Sequence, residues 1–409
     1  MDLNIAIINP ILRTANVESS LFVERPRSIP TTELTEINIV ELADALTALG
    51  NHVTLYAVGQ FLECEEIHIS NRLTICAVPA RLPLVFPPGL LPFTPSLAKS
   101  LQLREADVIQ SGEFHTFTTF FASLFAVNAQ IPFIVWQENF RYMRMPGMWF
   151  QKCLELTTGR SIRAGTTQFI LRTTKAKAFL LEIGVPQSAI GPWIPTGING
   201  SSFRPGPRKF LPKDFGFPKD CAVVLVVARL SPGKGVDLAI QAIALLRKNG
   251  KKVGLLVRGS GPELSYLRTL AKELGVHDFV RFLDRQSRSE MVNLYNSSDI
   301  FLLASRARTL VSTEDVFPFC LLEAGACGLP SVTTRVGSVE DFVQDGLNGL
   351  LVPPNSVEAI ATGIGRLLAD DSLREAMGKK ARQRFGEAFD IRVVAARLAK
   401  VYRDLRSFP

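Results

Sequence analysis

The segment T-E-D-V-F-P-F-C-L-L-E-A-G-A-C-G-L-P spans Thr313 to Pro330. From Val316 onward it holds a single carboxylate, Glu323, in an otherwise apolar run. Pro318 suits a first helical turn, where a missing N–H costs nothing. Gly328 and Pro330 would close the helix. A lone carboxylate on a mostly buried helix needs a partner, because an unpaired buried charge costs several kcal/mol. A neighbouring Arg would supply one structurally; a ligand would supply one functionally. Asp315 stands just ahead of the helix, where unpaired N–H groups and the helix dipole favour an anion.

Around this segment short apolar runs alternate with amphipathic ones. Strands are expected at 222–227, 253–257, 279–283, 300–304, 331–334 and 349–352, with helices at 237–247, 263–274, 289–296, 318–327 and 356–368. The end, 371–406, reads as mostly helical. The N-terminal half repeats the pattern, with strands at 4–8, 53–58, 73–78, 108–109, 133–136 and 167–171. Helices are expected there at 33–49, 96–103, 117–127, 148–157 and 174–183. Between them, Pro205, Pro207, Pro212 and Pro218 with Lys209 and Lys213 read as an interdomain linker. Buried parallel strands alternating with helices give an α/β class with two Rossmann-like αβα domains. Ligands in such sheets bind at the carboxyl ends of strands, here most naturally in a cleft between the domains.

Composition agrees with a globular chain of two domains. There are 409 residues, 47% hydrophobic and 21% charged, with a net charge of +8. The basic balance suggests an anionic partner such as a nucleotide or a phospholipid surface. Six cysteines are scattered without a C-x-x-C pair, so reduced thiols in a cytoplasmic protein are expected. The N-terminus lacks a signal-peptide pattern, and no apolar run approaches the roughly 18 residues of a spanning helix.

Two strand-end loops carry groups suited to phosphate. A-R-L-S-P-G-K-G places Arg229 and Lys234 around Gly233 after the strand at 222–227. A glycine-bearing strand-to-helix turn lets backbone N–H groups approach an anion, and two cations there suit a diphosphate. R-G-S-G-P-E, with Gly259, is a nucleotide-type turn lacking a third glycine. With Glu323 and Asp315 on the same sheet edge, cations for phosphates meet carboxylates for hydroxyls, the ligand logic of a nucleotide sugar.

With these motifs the C-terminal half, from about residue 222 to 385, resembles the retaining GT-B glycosyltransferases of the family-4 type (glycosyl transferases group 1). The motifs are V-A-R-L-S-P-G-K-G, R-G-S-G-P-E, V-R-F-L-D, E-D-V-F-P-F-C-L-L-E-A-G-A-C-G-L-P-S-V and G-L-N-G-L-L-V-P-P. The resemblance implies a GT-B fold: an N-terminal acceptor domain (1–204), a nucleotide-sugar domain (205–385) and a helical tail (386–409) crossing back to the first domain. It implies that Arg229 and Lys234 hold the donor diphosphate and neutralise the leaving group. Glu323 would accept from the ribose, Asp315 from the donor sugar. Backbone N–H groups near Phe319 and Cys320 would help at the phosphate, with Gly233 and Gly259 in the turns and Leu283 beside the base. The family's E-x7-E pattern has Asp315 as its first acid, and Asp284 replaces a glycine beside the base. P-T-G-I-N-G-S-S-F-R-P (195–205) resembles the family's interdomain segment. No glycine occurs between Met1 and Leu49, so nothing is assigned in the loop after the first strand.

The implied activity is transfer of a sugar, with retention, from a nucleotide diphosphate to an acceptor hydroxyl of a glycan or lipid-linked precursor. No cofactor is expected. The chain contains no D-x-D, and Arg229 with Lys234 can replace a divalent ion, so no metal is expected either. Nucleic acid is not an expected partner. On the acceptor side, Glu113, His115 and Glu138 follow strands; Glu138 and His115 are the candidates for lining the pocket. The basic and aromatic run at 141–163, with the Pro-rich apolar 82–93, suits peripheral contact with an anionic membrane. The alternatives are a non-catalytic nucleotide-sugar-binding subunit or a sugar-nucleotide epimerase on the same fold.

Overall fold

The computed structural model describes residues 2–9, 38–59, 66–79, 93–102, 105–142, 147–284, 287–307 and 317–406. The chain forms two compact units, Met1–Gly197 with Ile391–Pro409, and Ile198–Asp390.

The first unit contains β1 (Asn4–Asn9), α1 (Asn38–Thr47), β2 (His52–Gly59), β3 (Glu66–Ser70), β4 (Leu73–Pro79), α2 (Leu97–Gln102) and β5 (Val108–Gly112). It continues with α3 (Phe117–Ala129), β6 (Phe133–Gln137), α4 (Gly147–Gly165), β7 (Gln168–Leu171), α5 (Ala176–Glu182) and β8 (Ile190–Trp193). Its sheet runs β3-β4-β2-β1-β5-β6-β7-β8. All neighbours are parallel except β3, which runs antiparallel to β4. Alternate strand residues serve opposite faces. Ile5 and Ile7 of β1 join α1 through Val40, Leu42 and Leu46. Ala6 and Ile8 join the other layer, with Ala122, Ile162 and Phe179.

The second unit contains β9 (Ala222–Val227), α6 (Val236–Lys248), β10 (Val253–Arg258), α7 (Leu264–Glu273), β11 (Val280–Leu283), α8 (Arg288–Asn296) and β12 (Ile300–Leu303). Then follow α9 (Phe319–Ala326), β13 (Ser331–Thr334), β14 (Gly349–Val352), α10 (Val357–Ala369) and α11 (Asp371–Ala388). Its strands, all parallel, run β11-β10-β9-β12-β13-β14. This is the doubly wound Rossmann order, with its switch point between β9 and β12. The strand ends β9 and β12 therefore diverge into helices on opposite faces, leaving a crevice at their carboxyl edge. In the first unit the same reversal falls between β1 and β5.

The last helix, α12 (Ile391–Arg406), follows α11 in sequence but belongs to the first unit. Its buried Ile391, Val394, Ala395, Leu398 and Tyr402 complete the core that β1 and α1 begin. The Tyr402 hydroxyl donates to Gln110 Oε1 of β5 at 2.6 Å. A tail crossing back to the first domain is thus what the chain does, although α12 begins at 391.

Several sequence expectations are corrected. The Pro-rich 203–221 is no free linker; it is packed into the second unit, which starts at Ile198. Phe203 is buried against Tyr295, with ring centroids 6.1 Å apart, and Phe217 is buried as well. Arg208 pairs with Asp299. Two edge strands carry no strong apolar signal and were not expected. β3 alternates exposed and half-buried residues, and β8 contains Pro192, which an edge position tolerates. α4 runs to Gly165, beyond the expected end at 157. The loop after β1 and the Pro-rich 82–92 lie outside the described residues.

Candidate active site

At the carboxyl edge of the second sheet, three loops are bound together by backbone. Leaving β9, Leu230 donates its N–H to Ser260 O at 2.8 Å, and Glu263 N–H returns to Leu230 O at 3.2 Å. Arg306, beyond β12, donates its backbone N–H to Gly233 O at 2.9 Å. Pro232–Lys234 form a 3-10 turn, closed by Lys234 N–H to Ser231 O at 2.9 Å. Gly235 caps α6 with φ 61°, a left-handed conformation that glycine adopts freely. Arg229 is exposed on this loop, while Lys234 and Gly233 are half-buried. The structure thus places Arg229, Gly233 and Lys234 on one loop at the switch point, ahead of the N-terminus of a thirteen-residue helix.

Gly259 belongs to the adjoining turn after β10, where a Cβ would overlap the Ala228 carbonyl oxygen. Leu283, half-buried, ends β11 opposite Arg258 of β10. Helix α9 begins as its flanking residues suggested: Pro318 is its N-cap residue, and Gly328, φ 74°, follows its end. Phe319 and Cys320 form its half-buried first turn. Glu323 stands in the next turn, half-buried, and its Oε2 accepts from the Tyr295 hydroxyl at 2.6 Å. An aromatic hydroxyl from α8 thus meets the need for a partner that suggested an Arg. Asp315 lies outside the described residues.

Sequence reasoning also passed over an ionic cluster behind the cation loop. Arg306 pairs with Asp237 of the first turn of α6. The Glu263 carboxyl lies close by, its pKa raised by burial and then by the Asp237 charge, with Arg306 opposing. Arg306 therefore holds the cation loop twice, through its backbone to Gly233 and its guanidinium to Asp237. Asp237 at a helix N-terminus was a readable signal; Arg306, in an irregular loop, was not.

At the carboxyl edge of the first sheet, Glu113 follows β5 with φ 63°, a strained value for a non-glycine residue. Its carboxylate holds the loop after β6. Oε1 accepts from Glu138 N–H at 3.0 Å, and Oε2 from Gln137 Nε2 at 2.8 Å. Gln137 Oε1 in turn accepts from Phe114 N–H at 2.8 Å. Burial raises the Glu113 pKa, and the Glu138 charge adds to the effect. Glu138, with a side chain 20% exposed, pairs at 3.1 Å with Arg172, which follows β7. The Arg172 guanidinium lies 4.6 Å over the Trp136 ring and donates to Thr196 Oγ1. Glu138 and Arg172 are thus a rigid, partly exposed ion pair on this edge.

His115 is placed differently. Its side chain is 4% exposed, among the rings of Phe114, Tyr142 and Phe179. Its Nε2 lies 3.3 Å from Glu155 Oε2, which also accepts from Tyr142 OH at 2.5 Å. Burial lowers its pKa, keeping the ring neutral near pH 7. It is enclosed behind the edge on which Glu138 stands.

Residues 207–384 match the family described as Glycosyl transferases group 1. This segment is a glycosyl transferases group 1 domain. The chain is similar to the GDP-mannose-dependent alpha-(1-6)-phosphatidylinositol monomannoside mannosyltransferase of Mycolicibacterium smegmatis, 32% identical over 245 residues. That alignment covers 59% of this chain and 63% of the relative. A D-inositol 3-phosphate glycosyltransferase of Saccharomonospora viridis is 31% identical over 52% of this chain and 49% of its own. The chain thus spans between about half and under two thirds of these curated relatives. The whole fold, both units included, resembles a sucrose-phosphate synthase from Thermosynechococcus elongatus. The TM-score is 0.72 at 20% identity, covering 98% of this chain and 99% of that one. Anabaena Alr3699/HepE, solved with UDP, gives a TM-score of 0.72 at 17% identity over 99% of this chain and 100% of its own. The chain has the GT-B architecture, two Rossmann-like units of which the second is the group 1 domain.

Proposed function

We propose that the protein is a retaining glycosyltransferase that moves a sugar from a nucleotide diphosphate to an acceptor hydroxyl. The observation that carries this reading is the Arg229–Lys234 loop at the switch point of the group 1 domain, beside the helix bearing Glu323. Arg229 and Lys234 would hold the diphosphate, Glu323 the ribose and Asp315 the donor sugar. The bond from the sugar's anomeric carbon to the diphosphate oxygen breaks, its electron pair leaving with the diphosphate. The acceptor oxygen bonds to that carbon on the same face, and its proton passes to the leaving phosphate. Arg229 and Lys234 neutralise the charge that develops, the part a divalent ion would otherwise play. Glu138, fixed by Arg172, would take the acceptor's hydroxyls.

The relatives named above, one acting on a phosphatidylinositol mannoside and one on an inositol phosphate, support a glycan or lipid-linked acceptor. A nucleotide-sugar panel screened by thermal shift, followed by donor consumption with and without EDTA, tests the reading. Stabilisation by one donor, and consumption unaffected by EDTA, is the expected result. Binding without consumption would leave a non-catalytic subunit, and conversion of the sugar without transfer would make it an epimerase.

A cytoplasmic protein in peripheral contact with a membrane is part of the proposal. Among the described residues no helix is long and apolar enough to cross a bilayer. Helices α3 and α4 pack together and expose Leu124 and Val127 on one and Trp149 and Leu156 on the other. α3 has no charged residue, and the exposed charges of α4, Lys152 and Arg160, are both positive. An apolar face rimmed by cations suits anionic lipid. Replacing Trp149 and Leu156 together by Ala should weaken co-sedimentation with phosphatidylglycerol vesicles about 10-fold or more, the scale of two lost apolar side chains. Equal pelleting of wild type and variant would remove this surface from the account.

A further inference from the structure

Behind the cation loop an arginine meets two acids. Arg306, in the loop after β12, pairs with Asp237 of α6. The Glu263 carboxyl, in the turn after β10, is near enough that burial and then the Asp237 charge raise its pKa, while Arg306 lowers it. The backbone beside Arg306 is held independently of this pairing. Ser305 O accepts from Thr334 Oγ1 at 2.6 Å, and Arg306 N–H donates to Gly233 O at 2.9 Å. Asp237 lies in the first turn of α6, where helix N–H groups and the dipole favour an anion. An uncompensated carboxylate there would repel a diphosphate drawn to the same helix end. Its side chain is only 13% exposed, so solvent screens little of that charge.

We propose that Arg306 is a positioning residue for the donor diphosphate, acting through Asp237: its guanidinium anchors and cancels a carboxylate that would otherwise oppose the phosphates at the N-terminus of α6. This rests on the reading of Arg229 and Lys234 as the diphosphate site. Without the guanidinium, Asp237 and Glu263 would stand as neighbouring like charges beside that site. The backbone bonds at Ser305 and Arg306 do not involve the Arg306 side chain, so Arg306→Met keeps the loop closed and removes the charge.

The experiment compares UDP and GDP with uridine and guanosine by calorimetry on the full chain. Wild type should bind one diphosphate about 10²-fold or more tightly than its nucleoside, the scale of two charge-assisted hydrogen bonds. In Arg306→Met that preference should fall about 10-fold, the scale of one lost charge partner, through weaker diphosphate binding alone. Arg306→Gln, which keeps a donor for Asp237 but no charge, should show the same fall, with melting temperatures checked for an intact fold. Adding Asp237→Asn to Arg306→Met should restore the preference to within about 3-fold of wild type, as coupling between the two side chains requires. A preference that wild type lacks, or that survives replacement of both Arg229 and Lys234 by Ala, would overturn the diphosphate reading and this inference with it. A preference lost there but intact in Arg306→Met would overturn only the role of Arg306. A fall that Asp237→Asn does not repair would show Arg306 acting without Asp237, and the inference would fail. Equal weakening of nucleoside and diphosphate would make the arginine merely structural.

Discussion

Arg229→Ala and Lys234→Ala should each lower sugar transfer about 10²-fold or more, the scale of deleting one group that meets transition-state charge. The loss should fall mainly on kcat, because the diphosphate gains its extra negative charge only as the sugar bond breaks. The fold should survive both changes. Arg229 is exposed and Lys234 half-buried, and the loop's own shape is set by backbone bonds to the Ser231 and Ser260 carbonyls and from the Arg306 N–H. Steady-state kinetics with a consumed donor, together with melting curves, separate a charge effect from misfolding. Turnover at the wild-type level in both variants would remove the diphosphate site from these residues.

Gly235→Ala should have the largest effect on stability. At φ 61° an alanine pays roughly 1–2 kcal/mol for the left-handed backbone. Its Cβ would also overlap the Ala304 carbonyl oxygen, which is backbone and cannot rotate aside. The two strands bordering the switch point would be pushed apart, so a total loss of about 3 kcal/mol or more is expected. Gly250→Ala provides the control. That glycine has φ 76° and open space where the Cβ would go, so the backbone cost alone remains. Chemical denaturation of both variants tests the difference, and equal stability of the two would show that the loop yields easily.

The second unit was the more legible half because its signals are local. Pro318 and Gly328 bracket α9 within one short window, and the apolar strands announce themselves as continuous runs. The partner of Glu323 was not legible. Tyr295 lies on another helix and meets the carboxylate only because β12 and α9 bring the two together. The Pro-rich 203–221 misled by its prolines, although Phe203 and Phe217 within it were the clue that it packs. The strained Glu113 shows the same limit. Its role is to accept from Glu138 and Gln137 across neighbouring strand ends, a pairing that only the parallel register of β5 and β6 creates. His115 stands between aromatic residues brought to it by the loop after β6, through Tyr142, and by α5, through Phe179.

Helix α12 sets the timetable of synthesis. The face of the first sheet carrying Ile5, Ile7, Val53 and Ile194 is finished by Val394, Leu398 and Tyr402. Those residues leave the ribosome only after the whole of 198–390 has been made. The second unit, continuous in sequence, can close its own core first, reversing the usual N-terminal-first order. Through that interval the earlier-made unit waits with the part of this apolar sheet face that α1 does not cover open to solvent.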